Sequence, residues 1–215
     1  MDFSLRPEQK PSYPSEEPTK IFRDASVDLL AGGRLSLGGT AFFGSFTDQR
    51  KICYVVDCSG SMQGLFGQVR KQLKNSISAL RPDQYFYIIF FQDGKLLESG
   101  NGRLVRATDR AKSAACSFAD SVRPAGPTNA MDALERAMQI RDQAGQSPAL
   151  IYFLTDGFDL ELDDTSRFGL QLENMRKKLA PSAKINTIGF WTGPADGRIL
   201  RTVADQSGGE FVNIE

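Results

Sequence analysis

Histidine is absent from all 215 residues of the sequence. Its absence excludes a Ser-His-Asp triad, a Cys-His pair, the HExxH zinc motif and imidazole acid-base chemistry for the chain acting alone. Cysteine is scarce: Cys53, Cys58 and Cys116 are the only three, and none belongs to a CxxC pair. Because an odd number of such cysteines argues against a disulfide framework and against a structural zinc site, we expect reduced thiols.

Net charge is also missing, since 26 Lys and Arg residues balance 26 Asp and Glu residues. No global field would recruit nucleic acid or an anionic membrane, so any electrostatic recognition must be local. The apolar runs are much shorter than the roughly 18 to 20 residues of a membrane helix, and the N-terminus lacks the apolar segment of a signal peptide. We expect a soluble chain that does not insert into a membrane. Its free cysteines slightly favour the cytoplasm, and a tether through a segment absent from this sequence is the alternative.

The first 25 residues are rich in proline and predict a disordered tail or linker. Residues 26–47 carry two Gly-Gly pairs between short apolar pieces. They predict an arm that packs Phe42 and Phe43 on the main domain. The weaker form of the same prediction is that both phenylalanines simply belong to the core. With 40% hydrophobic residues overall, residues 48–215 are enough for one domain with a sizeable core.

From residue 50 onward, predicted strands and helices alternate. Continuous apolar, β-branched runs are typical of parallel strands covered on both faces, whereas apolar residues at every third or fourth position predict helices. The predicted strands are residues 52–56, 85–91, 95–97, 149–154, 185–190 and 210–214. The predicted helices are residues 62–80, 108–122, 129–144, 165–179 and 198–206.

This alternation defines the predicted fold class. A turn at Asp93-Gly94 joins the second and third strands as an antiparallel hairpin. We therefore predict an α/β fold: an open, mostly parallel, doubly wound, Rossmann-like sheet with one antiparallel hairpin edge strand and helices on both faces. Sheets of this kind bind ligands beyond the carboxyl ends of their strands.

Oxygen-bearing residues are concentrated at that edge. The first strand ends in DCSGSM, with Asp57, Ser59 and Ser61 at alternate positions. GPTN brings Thr128 just before a helix, and TDG brings Asp156 just after a buried strand. Oxygen ligands favour a hard cation, and a site with few carboxylates that keeps some waters suits Mg²⁺ better than Ca²⁺. The first motif taken alone could equally be a helix N-cap whose hydroxyls satisfy backbone N–H groups.

These three motifs, in this order and beside these elements, resemble the metal-ion-dependent adhesion site of a von Willebrand factor type A (VWA) domain. The resemblance covers residues 48–215, and all five positions of the site are filled, by Asp57, Ser59, Ser61, Thr128 and Asp156. It implies that both serines bind Mg²⁺ or Mn²⁺ directly, that the threonine does so directly or through water, and that the aspartates act largely through waters. It also implies an open coordination position that an Asp or Glu carboxylate of a partner protein fills.

Neighbouring residues could form a rim around this site. The rim that we expect consists of Leu65, Phe66, Asn129, Phe158 and Asp159. Leu65 and Phe66 could equally belong to the core that the helix covers. The acidic segment 157–164 could hold a second cation or be a solvated loop, and Cys58 could be a redox-sensitive thiol or an ordinary loop cysteine.

We therefore predict a monomeric, metal-dependent, protein-binding module without enzymatic activity. The alternative is a metal-free VWA scaffold in a larger complex. A haloacid-dehalogenase-type phosphatase would need an aspartate where Ser59 stands, and an EF-hand loop would need a glutamate where Gln68 stands. No GxxxxGK[ST] motif is present to bind the phosphates of a nucleotide.

Overall fold

The computed structural model describes residues 40–92, 94–158 and 164–215. The predicted tail and most of the predicted arm lie outside these residues, and the predicted domain boundaries stay predictions. The strands are β1 (Thr40–Phe42), β2 (Ser45–Thr47), β3 (Lys51–Asp57), β4 (Tyr85–Gln92), β5 (Lys95–Glu98), β6 (Val105–Arg106), β7 (Leu150–Thr155), β8 (Lys184–Phe190) and β9 (Phe211–Ile214). The helices are α1 (Phe66–Ser78), α2 (Asp109–Ser121), α3 (Ala130–Gln139), α4 (Asp164–Leu179) and α5 (Pro194–Ser207), with one 3₁₀ helix at Gly60–Gly64.

The large sheet has the strand order β5-β4-β3-β7-β8-β9, and β6 also pairs with β4. Strands β3, β4, β7, β8 and β9 are parallel, whereas β5 and β6 run antiparallel to β4. This arrangement confirms the predicted α/β fold, with its mostly parallel sheet and antiparallel hairpin. The chain moves from β3 to β4 on one side and then to β7 on the other, so β3 and β7 flank the point where the strand order reverses. Ligands of open α/β sheets bind at such a switch point.

Helices cover both faces of the sheet. One face packs against α1 and α2 through one apolar cluster, and the other packs against α3, α4 and α5 through a second. Along β3, Tyr54 and Val56 belong to the first cluster, whereas Cys53 and Val55 belong to the second. This division explains why β3 reads as an uninterrupted apolar run, because neither face of the strand meets water. In the described part of the chain, no helix combines the length and apolarity that crossing a membrane requires.

The β1–β2 hairpin contributes aromatic rings to the first cluster. Phe42 is fully buried and makes edge-to-face contacts with Tyr54 and Tyr152, at ring-centroid distances of 5.3 and 5.4 Å. Phe43 is 8% exposed and packs on Phe190 at 5.0 Å. Both phenylalanines of the predicted arm therefore lie in the core, where aromatic pairs add to the free energy gained by burial.

The prediction for α3 was too long. It extended the helix to residue 144, but α3 ends at Gln139 because Ile140 adopts an extended backbone and is fully buried in the second cluster. The chain then turns at Asp142, whose carboxylate accepts the N–H groups of Ala144 and Gln146. Burial of one residue outside the helical pattern thus overrides the helix-forming residues that follow it.

Two other helix starts and one strand also differ from the prediction. Helix α5 begins at Pro194, four residues before its predicted start, with proline in the first turn where its missing N–H costs nothing. Met62 lies in the 3₁₀ helix, and α1 starts only at Phe66. Strand β6 was missed because its two residues are both exposed and offer no apolar alternation.

The junction between α5 and β9 provides a test of the packing. A Cβ atom at Gly209 would lie 2.0 Å from the carbonyl oxygen of Ile185, which is backbone and cannot rotate away. We expect Gly209→Ala to lower the free energy of unfolding by about 1 to 3 kcal/mol or more. Urea denaturation measures the change.

Gly193→Ala is the matched control, because a Cβ there would meet no heavy atom within 4 Å and its φ of −60° suits any residue. Because Gly193 is the N-cap of α5 and alanine is a poorer N-cap, its effect should be a loss of about 0.5 to 1 kcal/mol at most, smaller than that of Gly209→Ala. Equal midpoints for the two variants would contradict the close approach at Gly209.

Candidate metal centre

Asp57 is the last residue of β3, and its side chain is fully buried. One carboxylate oxygen, Oδ1, accepts the backbone N–H of Ser59 at 2.8 Å. The other, Oδ2, accepts the hydroxyl of Thr155 at 2.6 Å. Two donors therefore fix the orientation of this carboxylate, while each oxygen keeps a second lone-pair direction for another ligand.

The electrostatics of Asp57 favour a nearby positive charge. Burial raises the pKa of this carboxyl group from its usual value near 3.8 to about 6, and the negative charge of Asp156 acts in the same direction. The hydrogen bonds from Thr155 and Ser59 lower the pKa and offset part of the effect. Asp156 therefore opposes the ionisation of Asp57, and a cation beside this carboxylate would stabilise its charged form.

Ser59 and Ser61 present hydroxyl groups beside this carboxylate. Their Oγ atoms lie 3.0 Å apart, and Ser59 is 1% exposed. Ser59 occupies the N-cap position of the 3₁₀ helix, but its side chain makes no capping hydrogen bond. The helix-cap interpretation of the motif therefore fails for Ser59, and both hydroxyl oxygens fit the donor set that a hard cation prefers.

The first motif is tied to the loop that leads to Thr128. Gly60 donates its N–H to the carbonyl of Gly126 at 2.9 Å, and Ala125 donates to the carbonyl of Cys58 at 3.0 Å. Thr128 follows Gly126 by two residues and is partly buried. These hydrogen bonds bring the DCSGSM and GPTN segments together at one edge of the sheet, as the sequence analysis predicts.

Thr155 is a residue of the site that the sequence analysis missed. Besides donating to Asp57, its hydroxyl accepts the backbone N–H of Gly157 at 3.1 Å. It therefore links the end of β3 to the loop that carries the partly buried Asp156. The signal was present in the sequence, because Thr155 is the first letter of the TDG motif.

The predicted rim is wrong for Phe158, and for Phe66 the structure shows the alternative place in the core. Phe66 is 2% exposed and packs on Phe90 at a centroid distance of 5.7 Å. Phe158 is 9% exposed and lies between Phe153 and Phe168, at 5.9 and 5.0 Å. Both rings belong to the core, Phe66 to the first apolar cluster and Phe158 to the second.

The other rim residues have different positions. Leu65 is partly buried against the first cluster. Asn129 caps α3: its Oδ1 accepts the N–H of Asp132 at 3.4 Å, and its amide donates to the Asp132 carboxylate at 2.7 Å. Asp159 and most of the acidic segment, for which the sequence predicts a second cation or a solvated loop, lie outside the described residues.

Cys58 lies between the ligand candidates but has the character of an ordinary buried thiol. Two acceptors lie within reach of its single S–H, the carbonyl of Phe91 at 3.4 Å and Gln92 Oε1 at 3.2 Å from Sγ. Burial and the negative charge of Asp57 raise the pKa of this thiol to about 12. Because the thiolate is the reactive form, the redox-sensor alternative loses its chemical basis.

Within the residues that the structure describes, no group of three or more His, Cys, Asp or Glu residues is placed to hold a metal ion. The five candidate ligands contain only two acidic residues and owe their other oxygens to hydroxyl groups. A site of this composition is compatible with that finding. The ligand set and the metal remain predictions.

Family comparison assigns the chain to a known class. Residues 50–212 match the model of the von Willebrand factor type A domain, and the chain therefore belongs to this family. Membership confirms the predicted VWA domain.

Relatives and solved structures agree with this assignment. The chain is 29% identical to inter-alpha-trypsin inhibitor heavy chain H1 and 30% identical to heavy chain H4, both of Bos taurus, over 79% and 85% of its own length. It spans only 19% and 22% of those two relatives. The structure of a von Willebrand factor type A protein from Catenulispora acidiphila matches with a TM-score of 0.60 at 20% identity, covering 80% of this chain and 40% of that one. The pilus adhesin SpaC of Lactobacillus rhamnosus GG, in its open conformation, matches with a TM-score of 0.58 at 14% identity, covering 79% and 28%.

The contact between Thr155 and Asp57 yields a prediction about stability. Thr155→Val keeps the shape of the side chain but removes the donor to a buried carboxylate. We expect it to lower the free energy of unfolding by about 1 to 3 kcal/mol, because Asp57 then loses a partner that water cannot replace. Thermal and urea unfolding in the presence of a chelator measure this change.

Thr202→Val is the control, since Thr202 is exposed on α5 and, among the described residues, its hydroxyl bonds only to the carbonyl of Arg198 in its own helix. Its effect should not exceed about 0.5 kcal/mol. A Thr155→Val protein as stable as the wild type would show that the hydroxyl does not support Asp57.

Proposed function

We propose that this chain is a protein-binding module in which Mg²⁺ or Mn²⁺ at the strand-end edge coordinates an Asp or Glu carboxylate of a partner protein. The single observation that carries the proposal is the oriented, buried carboxylate of Asp57 beside the paired hydroxyls of Ser59 and Ser61. This group lies where the strand order reverses, between β3 and β7. Family membership supports the binding role, and the name of the adhesin SpaC is consistent with it.

Each residue of the site would have its own role in binding the cation. Ser59 and Ser61 would offer neutral oxygens to the cation, and Thr128 would offer a third from the loop tied to them through Gly60 and Gly126. Asp57 and Asp156 would balance its charge, and Thr155 holds the Asp57 carboxylate in place. When bound, the cation supplies an electrophilic position that an anionic oxygen fills better than a neutral one.

The chemistry of the site supports binding in preference to catalysis. The whole sequence contains no histidine, and burial raises the pKa of the Cys58 thiol beside the site. A proton relay would have to use the carboxylates that the cation engages. Turnover of phosphate esters or peptides that disappears in Ser59→Ala would contradict a purely binding role.

Magnesium should stabilise the folded protein if the proposal is right. A ligand that binds only the native state adds about 2.7 kcal/mol of stability at a hundredfold excess over its dissociation constant. We expect melting temperatures in millimolar Mg²⁺ to exceed those in chelator for the wild type. Ser59→Ala and Asp57→Asn should abolish this difference.

Ser117→Ala serves as the control, because Ser117 bonds to the carbonyl of Ser113 within α2, away from the site. It should keep the full magnesium effect. Wild-type melts that are identical in chelator, Mg²⁺ and Mn²⁺ would instead favour the metal-free scaffold. Stabilisation that survives in Ser59→Ala would place the cation elsewhere.

A carboxylate should bind the loaded site better than its neutral analogue. In saturating Mg²⁺ we expect sodium acetate to raise the melting temperature further, whereas acetamide at the same concentration and ionic strength should not. Thr128→Val should weaken the acetate effect without removing the magnesium effect. Equal shifts with acetate and acetamide, or an acetate effect that persists in chelator, would contradict carboxylate recognition by the cation.

A further inference from the structure

Trp191 is exposed at the same edge of the sheet as the candidate metal centre. It directly follows β8 and is the only tryptophan of the chain. Its side chain is 57% exposed, although tryptophan is large, apolar and usually well covered. Packing of the hydrophobic core therefore does not explain why a tryptophan stands at this position.

The backbone holds Trp191 in an unfavourable conformation. Its φ is +44°, in the left-handed region where a bulky side chain is a genuine outlier. The N–H of Trp191 donates to the carbonyl of Ile214 at 2.9 Å, so pairing with the end of β9 fixes this geometry. A glycine would satisfy the same backbone without strain. An exposed aromatic residue that is held in a strained backbone conformation points to a role outside the fold.

The Trp191 loop lies next to the candidate metal centre. Strand β8 neighbours β7, which carries Thr155, and β7 neighbours β3, which carries Asp57. In the first turn of α5, which follows this loop, the Asp196 carboxylate is 3.1 Å from where a Cβ of Gly157 would be. The segment after Trp191 therefore packs directly against the loop that carries Asp156.

The register of the strands gives the distance between the two features. Leu154 is paired with Val56, and Thr155 is paired with Gly189, two residues before Trp191. Two strand spacings sideways and two residues along the strand separate the Cα atoms of Asp57 and Trp191 by roughly 12 Å. An extended peptide covers this span with about three or four residues.

We propose that Trp191 is an aromatic anchor for the partner, which is an extended acidic segment with an apolar side chain about three or four residues from the metal-binding Asp or Glu. This inference rests on the proposed function, since the cation must hold the carboxylate. Tryptophan is among the residues that most often dominate binding energy at interfaces, and here the backbone that carries it is already held by the hydrogen bond to Ile214 before binding. The charge of the cation selects the carboxylate of the partner. The Trp191 ring selects the apolar side chain three or four residues away from it.

A series of synthetic peptides tests the proposal. Each peptide carries one Glu and one Leu in a Gly-Ser background, with the Leu two to six residues from the Glu; the reference peptides have Ser in place of Leu or Gln in place of Glu. Binding is titrated in saturating Mg²⁺ and in chelator through the fluorescence of Trp191, with calorimetry for the variants that lack it. We expect the Leu to tighten binding roughly 10- to 30-fold at a spacing of three or four residues, with a blue shift of the emission.

Three variants separate the contributions. Trp191→Gly relieves the backbone strain and should fold at least as well as the wild type, but it should lose the gain from Leu while keeping weak, magnesium-dependent binding of the Glu. Trp191→Phe should retain part of the gain. Leu170→Ala is the matched control, because Leu170 is 64% exposed on α4 and should leave every affinity unchanged.

The outcomes distinguish this inference from the proposed function. A Leu effect that is absent at every spacing, or that survives in Trp191→Gly, overturns the anchor while magnesium-dependent Glu binding stands. A Leu effect that needs Trp191 but persists in chelator and in Ser59→Ala overturns the metal-bridged proposal, and with it the acidic partner argued here. Emission that shifts with protein concentration alone would assign the ring to self-association and would also overturn the anchor.

Discussion

The buried hydrogen bond between the Thr155 hydroxyl and the Asp57 carboxylate is the contact on which the strand-end site depends. A carboxylate with no exposed surface is costly to keep inside a protein unless donors satisfy it, and Thr155 and Ser59 supply those donors. The bond also joins the ends of β3 and β7 where the strand order reverses. Charge is thereby retained at the one place in an open α/β sheet where the fold leaves room for a ligand.

Much of this arrangement could be predicted from the sequence, and the parts that could not have physical reasons. The strands were predictable because β3 and β7 are buried on both faces and need continuous apolar runs. The contact between Thr155 and Asp57 was not, since it joins residues 98 positions apart and no local pattern encodes it. Phe158 was assigned to the rim, and Phe66 was left open between the rim and the core, because adjacency to a loop in sequence does not say which way a ring points. The end of α3 was missed for a similar reason, as Ile140 leaves the helix to fill a place in the core.

The site is shared between the two faces of the sheet. The loop after β3 leads into α1, which packs on one face, and the loop through Thr128 leads into α3, which packs on the other. The hydrogen bond from Gly60 to Gly126 connects these two loops at the edge. Asn129 continues the connection by capping α3. A ligand held by both loops would therefore contact segments anchored in two separate apolar clusters, which favours a rigid and preorganised site.

The lengths of the outer strands bear on how the molecule behaves at high concentration. At one margin of the sheet β4 is flanked by β5 and β6, of four and two residues, and at the other margin β9 has four residues. Exposed margins with long rows of unpaired N–H and C=O groups recruit strands from other molecules and seed aggregates, and natural proteins suppress this by keeping such strands short. The long central strands, which are the most apolar, are enclosed between these short ones. Strand-by-strand extension of the sheet into fibrils thus has little template from which to start.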